Sequence, residues 1–304
     1  MAFHLEHDES LRGGLRRILV EQTIRLGEDI AGTDKDRKTA IHEVRKRCKR
    51  VRGVLRLLRP HAETLYQEEN VVFREVARKL SPFRDADARL EAFDALLQPP
   101  DCDGPRFSSI REFLTDTAQN GNSTNEFTSR IATIAKEAQD AQKRFKAMDF
   151  WEGDGFDLIE PGLRKTYKRG QQAMTMAYRG EPEKTAFHEW RKRVKDLGYQ
   201  LQVLRELWPP VLKRLHKEVD DLGRLLGQDH DITVLQQSVQ DPVSGRVSKG
   251  DLSAFLDFIG KRAGELREQA LPIGERIYAE ESEDFTKRMR AYWHTWREEG
   301  AVAT

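Results

Sequence analysis

The segment KTAIHEVRKRCK, Lys38 to Lys49, returns as KTAFHEWRKRVK, Lys184 to Lys195, at an offset of 146 residues. Repetition at a fixed offset constrains a fold more than composition does, because two copies of a sequence build two copies of one structural unit. The echo extends beyond the motif. Leu80 to Asp85 aligns with Leu226 to Asp231 at the same offset, which places Arg78 on Arg224, Arg84 on His230 and Asp85 on Asp231. Gly14, Leu15, Arg16 and Arg17 align with Gly162, Leu163, Arg164 and Lys165 at an offset of 148, the loop around Asp34 to Asp36 absorbing the difference. The 304 residues thus divide into halves, 1–150 and 151–304, each long enough to bury a core. The natural linker is Trp151 to Phe156, where Gly153 and Gly155 break any helix.

The pattern is helical nearly throughout. Proline in a helix interior costs about 3 kcal/mol, and all 11 prolines, Pro272 included, can be placed at element boundaries. Period-two runs of β-branched residues are scarce. The predicted helices lie near 8–31, 36–59, 62–80, 84–97, 107–119 and 124–147 in the first half. In the second they lie near 160–179, 183–207, 211–226, 230–239, 249–270 and 281–298. The expected fold class is all-α, two tandem helical bundles of long antiparallel helices.

Composition narrows the function by exclusion. Lysine and arginine (52) nearly balance aspartate and glutamate (51), for a net charge of +1. The chain is not uniformly basic, although its charges can still be segregated into patches. Cys48 and Cys102 give no disulfide framework and no CxxC pair. The start, MAFHLEHDES, lacks a signal peptide's basic and apolar regions. No apolar run approaches the roughly 20 residues that span a bilayer. A soluble, cytoplasmic protein without membrane contact is expected.

The repeated helix carries two faces. At about 100° per residue, Ile41, Val44, Cys48, Val51, Leu55 and Leu58 share one apolar stripe, matched by Phe187, Trp190, Val194, Leu197, Leu201 and Leu204. The other side of the first copy carries His42, Arg45, Lys46, Lys49, Arg52 and Arg56. The second repeats His188, Arg191, Lys192 and Lys195, then substitutes Gly198, Tyr199 and Gln202. From His42 to Arg59 there are eight lysines and arginines and one acid, Glu43. Like charges three or four residues apart cost a few tenths of a kcal/mol per pair, and ordinary solvated faces intersperse acids to avoid this. Relaxed surface charges have no reason to hold register between two copies, so the doubled ladder points to an anion seated on it. Arg16, Arg17, Arg164, Lys165, Lys168, Arg78 and Arg224 are candidates to join it, with Arg84 and His230. Arginine forks hold phosphate oxygens bidentately, whereas lysine acts as a mobile point charge. His42 and His188 start each ladder, and three roles stay open for them: a hydrogen-bonded core histidine, a phosphate donor, or a metal or catalytic group.

Other chemistries find less support. No P-loop pattern is present, and no Glu-x-x-His pair of the helical di-metal type occurs. Asp229, His230 and Asp231 read as a helix cap. No enzyme activity, cofactor or metal is expected. Nucleic acid is a competing polyanion, although Phe187 and Trp190 point to the core rather than interleaving with the cations.

These residues resemble the CHAD family, the conserved histidine α-helical domain. The resemblance rests on His42, Glu43, Val44, Arg45 and Lys46 with Lys49, Arg50 and Arg52, on His188, Glu189, Trp190, Arg191 and Lys192 with Lys195, and on the Leu80–Asp85 and Leu226–Asp231 elements. It covers roughly residues 8 to 298. It implies two helical bundles related by a pseudo-twofold axis, basic helices lining a central surface, and binding of inorganic polyphosphate at the residues named above. It also implies association with polyphosphate granules and, through them, with granule proteins. Asp196 and Gly198 stand where the first copy has Arg50 and Arg52, which puts symmetric binding in doubt.

Overall fold

The computed structural model describes residues 3–97, 104–120, 124–148, 153, 155–180, 184–240 and 247–302. Within them lie eleven α-helices: α1 (Leu11–Ala31), α2 (Arg37–Leu58), α3 (Glu63–Lys79), α4 (Pro82–Leu96), α5 (Ser108–Asn120), α6 (Thr124–Lys146), α7 (Glu160–Ala177), α8 (Lys184–Leu204), α9 (Pro209–Gln240), α10 (Lys249–Ile277) and α11 (Ser282–Val302). No β-strand occurs among the described residues, and no helix there is long and apolar enough to cross a membrane. The expected 150/151 boundary, half of the expected linker, and Cys102 lie outside the described residues.

Local signals start the helices. The Ser10 hydroxyl accepts from the Gly13 N–H at 2.9 Å, the Asp36 carboxylate from Thr39 N–H at 3.1 Å and the Ser248 hydroxyl from Asp251 N–H at 3.0 Å. Each satisfies a donor that the first turn leaves orphaned. The apolar stripes then place the helices. All six residues of the α2 stripe and all six of the α8 stripe are at most 1% exposed. Burying one such side chain contributes about 1.5–3 kcal/mol. That outweighs the few tenths of a kcal/mol per pair by which neighbouring cations oppose the helix.

In the first half α1 packs on α2 and α6, and α3 on α2 and α6. In the second α7 packs on α8 and α11, and α9 on α8 and α10. The halves meet where α2 lies against α7 and α8, and α4 reaches across to α9. The rings of Phe93 on α4 and Phe107 in the following 3-10 turn sit 5.4 and 5.2 Å from that of Phe255 on α10.

Three expectations are corrected. The break predicted between 226 and 230 is absent, and α9 runs unbroken for 32 residues. Asp229 is not a cap: it is buried, and its carboxylate takes the Arg267 guanidinium at 2.7 Å. Gly227 inside a helix costs about 1 kcal/mol, which the buried run Leu226, Ile232, Leu235 and Val239 offsets by packing. At the aligned place in the first half Pro82 lacks the N–H needed to continue, and α3 and α4 separate there. Pro272 does not end a helix either. It lies inside α10, whose buried face continues through Ala270 and Ile277, so tertiary packing overrides one lost hydrogen bond.

Residues 3–10 strap the halves together. Leu5 donates to the Val203 carbonyl at 3.0 Å, Arg297 to the Glu9 carbonyl at 2.8 Å, and Arg17 grips the Glu9 carboxylate at 2.6 Å. The close approach of α7 to α2 depends on Gly162, where a Cβ would collide with the carbonyl oxygens of Leu57 and Arg56. Backbone carbonyls of a buried helix cannot step aside. Gly162→Ala is therefore expected to lower the unfolding free energy by about 1–3 kcal/mol in chemical denaturation. Gly260→Ala on α10, where a Cβ meets nothing within 4 Å, should be neutral or stabilising.

Candidate anion-binding groove

Where α2 passes α8, Gly53 faces Tyr199 so closely that a Cβ on the glycine would come within 2.9 Å of the tyrosine Cβ. Gln200 fastens the crossing: its amide donates to the Gly53 carbonyl at 3.3 Å and to the Thr166 hydroxyl at 3.0 Å. Beside this crossing lies an open groove of 440 Å³. The helix α2 contributes His42, Arg45, Lys46, Lys49 and Arg50, and α4 contributes Arg84. On the other side α8 contributes Arg191, Lys195, Gly198, Tyr199 and Gln202, and α9 contributes His216 and Asp220. Seven lysines and arginines thus face a space containing one carboxylate.

Protein contacts aim several of these cations without neutralising all of them. Arg45 donates to the Ala77 carbonyl at 3.1 Å and to the Ser81 hydroxyl. Arg84 pairs with Glu91 at 2.5 Å, Lys46 with Glu43 at 3.0 Å and Lys195 with Asp220 at 3.1 Å. Lys49 has no acidic partner among the described residues. Three buried donors in the groove, Arg50 Nε, Arg84 Nη1 and Arg191 Nε, have no protein acceptor. A buried polar group left unpaired is costly and calls for an explanation, and a bound anion supplies one.

Electrostatics agree with the geometry. Lys49 keeps solvent contact, yet the concave wall desolvates it, and Arg191, Arg45 and Lys195 repel its charge. Together these push its pKa down to about 8. Partial desolvation by the groove walls, aided by nearby cations, lowers His42 and His188. Burial first, then Arg191, His188 and Lys49, takes His230 down to about 4. All three imidazoles are therefore neutral at pH 7 in the ligand-free protein.

The sequence candidates separate into groups. His42, Arg45, Lys46, Lys49, Arg191 and Lys195 come together in the groove. His188 is half-buried with its Nδ1 3.1 Å from Nδ1 of His230, so the two histidines differ in setting: His42 is exposed in the groove and His188 is paired. Arg52 donates to Asn70 at 3.0 Å, and Arg56 pairs with Asp196 at 3.2 Å. Arg17 holds the N-terminal strap, and Arg16 donates to the Met148 carbonyl. Arg78 pairs with Glu75 at 2.6 Å, Lys192 with Glu189 and Arg224 with Asp221 at 3.4 Å. Arg164, Lys165 and Lys168 are exposed on α7. None of this second set lines the groove. The ladder is also less bare than its sequence: Asp29, Asp196 and Asp220 reach it from other helices.

Sequence reasoning named Arg84 only as a further candidate and left Arg50, Tyr199, Gln202, His216 and Asp220 out of the binding set. Arg50 had a signal, one turn beyond Lys46 and within the ladder. His216 and Asp220 had none, because their role depends on how α9 packs on α8.

Asp196 is informative. It stands at the repeat position of Arg50 and pairs with Arg56 at 3.2 Å and Arg193 at 3.1 Å. Burial pushes its pKa up, and Arg56, Arg193 and Arg52 oppose that shift. Here a protein carboxylate already occupies a cluster of cations.

The chain matches the family model of the CHAD domain over residues 18–240. It belongs to that family, which is associated with polyphosphate binding. No curated protein matches it. Among the described residues no group of three or more histidines, cysteines or acids is arranged to hold a metal ion.

Removing the carboxylate that joins Arg56 and Arg193 leaves the half-buried Arg56 without its acidic partner. Asp196→Ala is expected to destabilise the fold by about 3 kcal/mol. Inorganic phosphate at tens of millimolar should restore part of the lost melting temperature, as read in thermal unfolding.

Proposed function

We propose that this protein binds inorganic polyphosphate, without turning it over, in the groove between α2 and α8. The observation that carries the reading is the convergence of seven cations from three helices on one open space, with three buried arginine N–H groups lacking an acceptor. A polyphosphate chain presents charged oxygens at short, regular intervals. Each arginine edge can take a pair of them, and Lys49 and Lys195 can follow the chain. Release of the chain's counterions adds a salt-dependent gain, as it does for nucleic acids.

The repeat fits this reading. Gly53 and Tyr199 occupy equivalent positions at an offset of 146 and touch each other. A pseudo-twofold axis relating the halves would pass near them and bring both ladders to one surface. Recruitment to polyphosphate granules would follow from such binding.

The test is calorimetric titration of the full chain with long-chain polyphosphate at physiological salt, with RNA and orthophosphate in parallel. Polyphosphate should bind tightly and orthophosphate weakly; RNA binding as tightly would make the groove a general polyanion site. Replacing Arg45, Lys49 and Arg191 together by alanine should weaken polyphosphate binding by orders of magnitude while the helical circular dichroism persists. Phosphate release during incubation with divalent cations would overturn the non-catalytic part.

The pH dependence has a definite sign. Lys49 titrates at about 8 in the free groove, and a neighbouring anion favours its ammonium form, so its pKa in the complex lies higher. Binding near pH 8 therefore takes up protons, and affinity falls as pH rises through 8. Titrations in two buffers of different ionisation enthalpy measure the uptake.

A further inference from the structure

The groove changes character along its length. Arg191 and Lys195 are followed on α8 by Gly198, Tyr199 and Gln202, and Arg191 to Gln202 spans about 16 Å at 1.5 Å per residue. From α9, His216 and Asp220 face this far part. In the first half the aligned positions carry Arg52 for Gly198, Gly53 for Tyr199, Arg56 for Gln202, Asn70 for His216 and Arg74 for Asp220. Three cations have thus been exchanged for a glycine, an amide and a carboxylate, and a phenol ring has been added.

This end lacks the three aligned cations of the first half and is ready to hydrogen-bond. The Tyr199 hydroxyl, the Gln202 amide and the His216 ring have no hydrogen-bond partner among the described residues. Burial lowers the His216 pKa; Arg205, Lys195 and Arg50 lower it further, and Asp220 opposes them. The imidazole is therefore a neutral donor and acceptor at pH 7. Asp220 stays on the rim, half committed to Lys195 at 3.1 Å.

A linear inorganic chain has no use for such an end. Every unit of it is charged, it cannot stack on a ring, and a carboxylate repels it. A nucleoside has the complementary groups. A base stacks on an aromatic side chain, its edge pairs with an amide or imidazole, and a carboxylate accepts from ribose hydroxyls. Resting on the reading of the cationic part as a polyphosphate site, we propose that the groove also takes nucleoside polyphosphates, with the phosphate chain on Lys49, Arg191 and Lys195 and the nucleoside seated against Tyr199, Gln202, His216 and Asp220.

The experiment titrates the full chain with inorganic tripolyphosphate and with ATP, GTP, CTP and UTP at fixed ionic strength without divalent cations. Charge alone favours tripolyphosphate, which carries more of it. The expected result is at least one nucleoside triphosphate binding about tenfold tighter than tripolyphosphate, a preference that Tyr199→Ala abolishes. Gln202→Ala provides a second variant, because Tyr199 also packs on Gly53 and its removal can disturb the crossing. Loss of the preference in Gln202→Ala with the fold intact supports the same seat. Tripolyphosphate binding as tightly as every nucleotide, or a preference that survives both substitutions, overturns the inference and leaves the polyphosphate reading standing. Absence of binding by tripolyphosphate and long-chain polyphosphate alike overturns both.

Discussion

The closeness of α2 to α7 and α8 sets everything else in this protein. Glycine at 53 lets the Tyr199 side chain lie against the α2 backbone, and glycine at 162 lets α7 reach the carbonyls of Leu57 and Arg56. That proximity carries Lys49 toward Arg191 and Lys195, an arrangement that repulsion alone would undo. The opposing force comes from the apolar stripes on the reverse faces of the same helices, whose twelve side chains are almost wholly buried. Hydrophobic burial thus holds together a set of charges that would otherwise separate.

Such a set can be relieved in two ways, and both occur along α2. Toward its C-terminal half the protein supplies the anion itself, with Asp196 set between Arg56 and Arg193. Toward its N-terminal half Lys49 has no acidic neighbour, its pKa falls to about 8, and three arginine N–H groups wait for acceptors. The difference between an internal ion pair and a candidate binding site comes down to which copy of the repeat carries an acid.

Much of the fold was legible because it rests on local periodicity. The α2 and α8 stripes, the helical class and six of the groove's residues follow from spacing in a single helix read twice. The misreadings share one cause, a partner distant in sequence. Asp229 looks like a cap until Arg267 is seen to hold it. Pro272 looks like a terminus until the packing of α10 is known. Asp29, Asp196 and Asp220 leave the ladder looking bare because each arrives from another helix. Arg16 and Arg17 align with the second copy, yet Arg17 serves the N-terminal strap, which alignment within the repeat could not reveal.

Pro82 has a consequence for modularity. By separating α3 from α4 it lets the α4 segment, which packs on α5 and α2 of its own half, also reach across to α9, with Phe93 against Phe255. The aligned segment of the second half stays fused in α9. The exchange is therefore one-sided, like a domain swap performed by only one partner. A second half expressed alone would present the bare Phe255 surface to solvent, and a first half alone would present the α4 face that α9 covers. The two halves of the sequence repeat thus each cover apolar surface of the other.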